Sequence, residues 1–88
     1  RQWSTIAEAR TQVAGTMVTV TGLVNSVNFS GSGSEYTFED ATAGIDLYLG
    51  GTPIDLGLGD EITVTGSIAE YNGKLEVVPG SASDVVVN

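Results

Sequence analysis

The sequence predicts an all-β fold built around a small closed barrel, and two observations support this prediction. An eleven-residue segment recurs, since residues 18–28 read VTVTGLVNSVN and residues 62–72 read ITVTGSIAEYN. Both copies alternate apolar residues with threonine, which is the period of a strand with one buried face. Each copy also places a glycine inside the alternation, at Gly22 and at Gly66, where a bulge or sharp bend is expected. Two long, bent strands are typical of a small barrel.

One short helix is predicted before the first strand, over residues 5–12. Thr5 and Glu8 have the spacing of a capping box, in which each side chain satisfies the other's backbone donor. Ile6, Ala9 and Val13 fall on one face of this helix, so we expect that face to be buried.

Glycine-rich turns divide the rest of the chain into strands. The predicted strands span residues 17–29, 35–39, 45–49, 61–71 and 74–78, and a short sixth strand covers residues 84–87. Asn72 and Gly73 form a strong hairpin signal between the fourth and fifth strands. In the first and fourth strands the predicted inward residues are Val18, Val20, Ile62, Val64 and Ile68. In the third strand Asp46 and Tyr48 are predicted to point away from the barrel interior.

Five strands with long first and fourth members predict an OB-type Greek-key barrel, formed by a single domain over residues 1–88. The chain also resembles the OB-fold domain of bacterial secreted multidomain proteins, the type found beside extracellular nuclease and lamin-tail-like domains. The segments that carry this resemblance are residues 5–10, 15–22, 38–45, 58–66 and 70–76. The resemblance implies an extracellular location. Such folds commonly place a helix between the third and fourth strands, and because this chain has no room for one, we expect the N-terminal helix to close the barrel.

The charge balance argues against nucleic acid as a partner. Eleven acidic residues face three basic ones, which gives a formal net charge of −8. Such a surface repels phosphate, whereas nucleic-acid binding draws much of its affinity from cationic contacts. No stretch approaches the roughly 20 apolar residues of a membrane span, so membrane insertion is not expected.

Catalysis has almost no support in the composition. The chain has no histidine and no cysteine, which excludes Ser-His, Cys-His and His-metal arrangements. We therefore expect a protein that is not an enzyme and needs no cofactor. The sole lysine, Lys74, follows a hairpin turn and is interpreted as solvated.

The ligand face of an OB barrel usually combines strands two and three with the loop between strands one and two and the loop between strands four and five. The candidates on this face are Thr37, Glu39, Asp46 and Tyr48 on the strands, with Phe29 and Tyr71 near the loops. Tyr48 could stack on a base, but the acids beside it oppose a phosphate backbone.

Carboxylates also raise the question of a cation site, because hard cations take oxygen ligands. Asp40, Asp46 and Asp60 are the candidates, but no calcium-loop spacing is present. Asp40 is expected to accept backbone hydrogen bonds in its own turn instead. The sequence thus predicts no metal site. Separately, Asn28 begins an Asn-Phe-Ser glycosylation pattern.

The two ends of the chain are the candidates for assembly. Val85, Val86 and Val87 could close the same barrel, or they could pair with a neighbouring subunit by strand addition. Trp3 could pack on the helix or serve as an exposed contact. We therefore predict a non-catalytic extracellular module that works through protein contacts, with its own copies or with neighbouring domains. The alternatives are a nucleic-acid-binding accessory domain of a secreted nuclease and a carbohydrate- or cation-binding module.

Overall fold

The structure, a computed structural model, describes residues 4–88 as one α-helix, six β-strands and one 3₁₀ turn. The helix α1 spans Ile6–Ala9 and the 3₁₀ turn spans Ala82–Asp84. The strands β1 to β6 span Met17–Val24, Glu35–Glu39, Gly44–Tyr48, Glu61–Tyr71, Lys74–Val78 and Val85–Val87. The predicted Trp3 contact lies outside the described residues.

The first five strands close into a ring because β1 pairs with both β2 and β4. The order around the ring is β1-β2-β3-β5-β4, with β4 returning to β1. The β3–β5 pair is parallel and the other pairs are antiparallel. This is the predicted OB-type Greek-key barrel. The sixth strand pairs with β4 of the same chain, which is one of the two arrangements that the sequence left open.

The barrel interior is filled by the apolar residues that alternate along the strands. The inward residues predicted for the first and fourth strands are all at most 2% exposed: Val18, Val20, Ile62, Val64 and Ile68. Phe38 of β2 and Leu47 of β3 are fully buried among them. The prediction that these side chains point into the barrel is therefore confirmed.

The helix covers the barrel next to the turn between β2 and β3. Its capping box at Thr5 and Glu8 forms as predicted, and Ile6 and Ala9 are fully buried. The helix ends at Ala9, earlier than predicted, so Val13 is 78% exposed and the prediction that it shares the buried face is wrong. No described helix has the length and apolar character needed to cross a membrane.

Asp40 ties this helix to the barrel. Its carboxylate accepts hydrogen bonds from the backbone N–H of Ile6 at 2.9 Å, of Thr42 at 2.8 Å and of Ala43 at 3.1 Å. Partial burial alone would raise the pKa of Asp40, but these hydrogen bonds outweigh it and hold the pKa at about 2. Asp40 therefore accepts backbone hydrogen bonds in its own turn, as the sequence predicted, and it also accepts one from the helix, which the sequence did not predict.

The first strand ends at Val24 instead of continuing to residue 29. Beyond Val24 the backbone N–H of Thr37 donates to the Ser26 hydroxyl at 2.9 Å instead of to a backbone carbonyl of the first strand. A side chain thus replaces the next hydrogen bond between β1 and β2. The chain then leaves the sheet and returns at Phe29, whose N–H donates to the Glu35 carbonyl. The resulting segment, residues 25–34, lies beside the outer face of the barrel and is called the β1–β2 loop below.

Candidate functional site

Three carboxylates gather on the outer face formed by β2, β3 and β5. Asp46 of β3 lies opposite Thr37 of β2 on one side and beside Glu76 of β5 on the other. Glu35 begins β2 and points to the same face, because it is two residues from Thr37. One oxygen from each of Glu35, Asp46 and Glu76 lies within 4.8 Å of the others. We call these three residues the acidic cluster.

Lys74, the first residue of β5, places its ammonium against this cluster. Its Nζ lies 2.6 Å from Glu35 Oε2, 3.6 Å from Glu76 Oε2 and 3.9 Å from Asp46 Oδ2. The hydrogen bond to Glu35 raises the pKa of Lys74 and keeps the ammonium charged. The interpretation of Lys74 as merely solvated is therefore wrong, although its side chain stays 43% exposed.

Asp46 is the deepest member of the acidic cluster. It points away from the barrel interior, as predicted, yet it is only 3% exposed because its neighbours cover it. Neither of its carboxylate oxygens has a hydrogen-bond partner among the described residues. Burial, reinforced by the adjacent Glu35, raises the pKa of Asp46 to about 8. Burial alone would raise the pKa of Glu35, but the adjacent Asp46 carboxyl group and the Lys74 ammonium hold it below its usual value.

A groove of about 420 Å³ opens beside the acidic cluster. Three aromatic residues line it: Phe29 is 50% exposed, Tyr48 is 39% exposed and Tyr71 is 64% exposed. Lys74 forms part of its wall, with the ammonium 5.8 Å from the centre of the Phe29 ring, within range of a cation–π contact. We call this feature the aromatic groove. It brings together three of the six predicted ligand-face residues.

Asn28 holds the β1–β2 loop in the position that places Phe29 at the groove. Its side-chain oxygen accepts hydrogen bonds from the N–H groups of Ser30 and Glu35, both at 3.0 Å. Its amide nitrogen donates to the Gly33 carbonyl at 2.9 Å. The glycosylation candidate thus uses its amide to order the loop.

Asp46 belongs to the acidic cluster beside the aromatic groove, whereas Thr37 and Glu39, the other two predicted ligand-face residues, do not line the groove. Thr37 lines a shallower depression on the other side of Lys74, where its hydroxyl donates to the Asn25 side chain. Glu39 accepts a hydrogen bond from the same Asn25. Asp60, a candidate cation ligand in the sequence, accepts from the Gly57 N–H at 2.8 Å and lies outside the acidic cluster.

Sequence reasoning missed Glu35, Lys74 and Glu76 as site residues. Two signals could have found them, because Glu35 shares the strand period of Thr37 and Glu39, and Lys74 alternates with Glu76 along the fifth strand. What the sequence did not reveal is the parallel pairing of β3 with β5, which sets Glu76 beside Asp46.

Comparisons with known proteins support the fold and no finer assignment. No protein-family model matches the sequence, and no curated protein matches it. Among solved structures, a murine DNA-binding protein bound to double-stranded DNA is similar over 100% of this chain, with a TM-score of 0.79 and 19% identity. This chain spans 48% of that protein's length. The hypothetical protein ygiW from E. coli matches 97% of this chain and 88% of its own, with a TM-score of 0.69 and 18% identity.

Proposed function

We propose that this chain is a non-catalytic, extracellular binding module that captures a basic segment of a protein partner in the aromatic groove. The observation that supports this most directly is the position of Lys74. Its ammonium lies 5.8 Å from the centre of the Phe29 ring and forms ion pairs with Glu35 and Glu76, so the groove already holds one cationic side chain. A partner's arginine or lysine would meet the same combination of ring faces and carboxylates at the open end of the groove.

The exposed aromatic residues support a protein ligand. Aromatic side chains are enriched at protein interfaces, because they bury a large area while losing few rotamers. Tyr48 and Tyr71 both line the groove, and both remain accessible to a ligand. The net charge of −8 steers basic segments toward the module and speeds their encounter.

Titration of a fluorescent arginine-rich peptide containing aromatic residues tests this proposal, followed by anisotropy at low and physiological salt. We expect Tyr48→Ala and Tyr71→Ala each to weaken binding by roughly tenfold, as loss of an interface anchor does. Val27→Ala is the matched control, because Val27 is 66% exposed but does not line the groove. A peptide with glutamate in place of arginine should not bind. Equal binding by wild type and both tyrosine variants would refute the assignment to the groove.

Nucleic acid is the second candidate ligand, and one observation favours it. The aromatic rings lie on the face that OB barrels commonly use for oligonucleotides. The acidic cluster works against it, since a phosphate backbone along β2 and β3 would meet Glu35 and Glu76. Labelled single-stranded DNA in the same anisotropy assay separates the two candidates. Micromolar DNA binding that Tyr48→Ala abolishes would reverse their order.

A further inference from the structure

The geometry of the acidic cluster matches the ligand spacing of a small divalent cation. Oxygen ligands of calcium lie about 2.4 Å from the ion, so two of them are separated by at most about 4.8 Å. The three oxygens of Glu35, Asp46 and Glu76 all fall within 4.8 Å of one another. They come from three paired strands of a closed barrel, which fixes their backbones relative to one another.

The Asp46 carboxylate provides a second and independent indication of a ligand. It is 3% exposed, and both of its oxygens lack a hydrogen-bond partner among residues 4–88. Buried polar side chains almost always have a partner, because an unpaired one loses its hydration without compensation. The carboxylate faces Glu35 and Glu76, so the missing partner belongs in the space between the three acids.

Lys74 fills that space only in part. Its ammonium makes a short contact with Glu35, but at 3.9 Å from Asp46 Oδ2 it is too distant for a hydrogen bond. The ammonium therefore makes a close contact with only one of the three acids. Because the Lys74 side chain is 43% exposed, it can swing into solvent without any change in the barrel.

We propose that Glu35, Asp46 and Glu76 form a binding site for a divalent cation that prefers oxygen ligands, and that Lys74 occupies this site until the cation displaces it. The cation would bridge Asp46 to the two glutamates, and water would complete its coordination. Lys74 acts as an internal competitor, so its removal strengthens cation binding. This inference concerns the buried acids and does not depend on a partner in the aromatic groove.

Titration with Mn²⁺ tests the site, because this ion takes carboxylate ligands and its unpaired electrons broaden nearby amide NMR signals. In the wild type we expect broadening centred on Glu35, Asp46 and Glu76, with half-saturation on the order of 1 mM. Lys74→Met keeps the aliphatic stem and should tighten binding by about tenfold or more, since it removes the competing charge. Asp46→Asn should abolish the localised broadening in both backgrounds.

Asp55→Asn is the matched control, because it removes one acid from an exposed position outside the cluster and should leave Mn²⁺ binding unchanged. Calcium added to the Mn²⁺ complex should restore the broadened signals by competition. Thermal melting confirms that each variant is folded. Broadening spread over all surface acids, or localised broadening that survives Asp46→Asn, would overturn the proposal. If Lys74→Met does not fold, the wild-type titration and the Asp46→Asn variant still decide the question.

Discussion

Val20 of β1 lies directly opposite Val64 of β4, and these two residues are equivalent positions of the repeated segment. The register around this pair places Gly22 opposite Ile62 and Val18 opposite Gly66. The two copies of the repeat therefore pair with each other in antiparallel orientation. The Val20–Val64 pair lies at the centre of this symmetric pairing. The repeated sequence thus corresponds to one tertiary contact of the barrel, the pairing of β1 with β4.

The first prediction follows from the position of Val64 in this pair. Val64 is fully buried, so Val64→Asp places an unpaired carboxylate in the barrel interior. We expect a loss of about 4 kcal/mol or more in the free energy of unfolding, which would leave the domain largely unfolded. Circular dichroism and thermal melting measure this. Val27→Asp introduces the same charge at an exposed loop residue and should melt close to wild type.

The second prediction concerns Gly66, where β4 passes from pairing with β1 to pairing with β5. A Cβ atom at this position would lie 2.7 Å from the carbonyl carbon and oxygen of Val78, so the backbones of β4 and β5 would have to separate. We expect Gly66→Ala to destabilise the fold by about 1–3 kcal/mol, as overpacking does. Gly51→Ala is the control, because a Cβ there has nothing within 4 Å. Urea unfolding that shows equal losses for the two variants would contradict this explanation.

The strand pattern of the sequence predicted the fold because its signals are local. Alternation placed Val64 inside, and Gly66 marked the position where two backbones approach. The exact bounds of β2, β4 and β5 also agree with the predicted ones. The end of β1 was missed because it depends on the Ser26 hydroxyl. This hydroxyl accepts a hydrogen bond from the backbone N–H of Thr37 in β2, a contact between distant residues that no local pattern indicates.

The candidate site was predicted less completely, because it depends on contacts between distant strands. The alternation correctly set Asp46 on the outer face, but nothing local indicated that this carboxylate is buried. Its burial follows from the closeness of Glu76 on a parallel neighbour and of Lys74 across the face. From sequence alone, an acidic residue on the polar face of a strand is expected to be solvated. Its burial can be recognised only when the neighbouring strands are known.

The third prediction concerns Asp40, whose hydrogen bonds lower its pKa from 3.8 to about 2. Because the folded state binds this proton more weakly than the unfolded state, the contribution to stability is complete above about pH 4 and is lost as the pH falls toward 2. We expect Asp40→Asn to cost roughly 1–2 kcal/mol at pH 7, after allowance for solvent screening. The difference from wild type should shrink at pH 2.5.

Urea unfolding at both pH values measures the contribution of Asp40. Asp55→Asn, which removes an exposed acid, should follow wild type throughout. A difference between Asp40→Asn and wild type that does not change with pH would show that the lost carboxylate charge is not the cause. The Ile6 N–H would then be satisfied in another way.

The fourth prediction concerns the C-terminal strand and its two edges. Val85 is 8% exposed and lies opposite Val64, so the inner edge of β6 covers β4 of the same chain. We expect Val85→Ala to lower stability by about 2 kcal/mol, whereas Val86→Ala, at a 51% exposed position, should change it little. Deletion of residues 82–88 should lower the melting temperature further and should expose β4 between Ile62 and Val64. Unchanged stability after this deletion would show that β6 is a passive tail.

The outer edge of β6 has no strand partner among the described residues, and a second copy of the chain could pair with it. Light scattering of the intact chain over a range of concentrations measures such assembly. If copies associate through this edge, Val86→Lys combined with Val87→Lys should keep the fold and reduce the mass, because charged side chains block edge pairing. A mass that rises with concentration equally in wild type and in the double variant would place the contact elsewhere on the barrel.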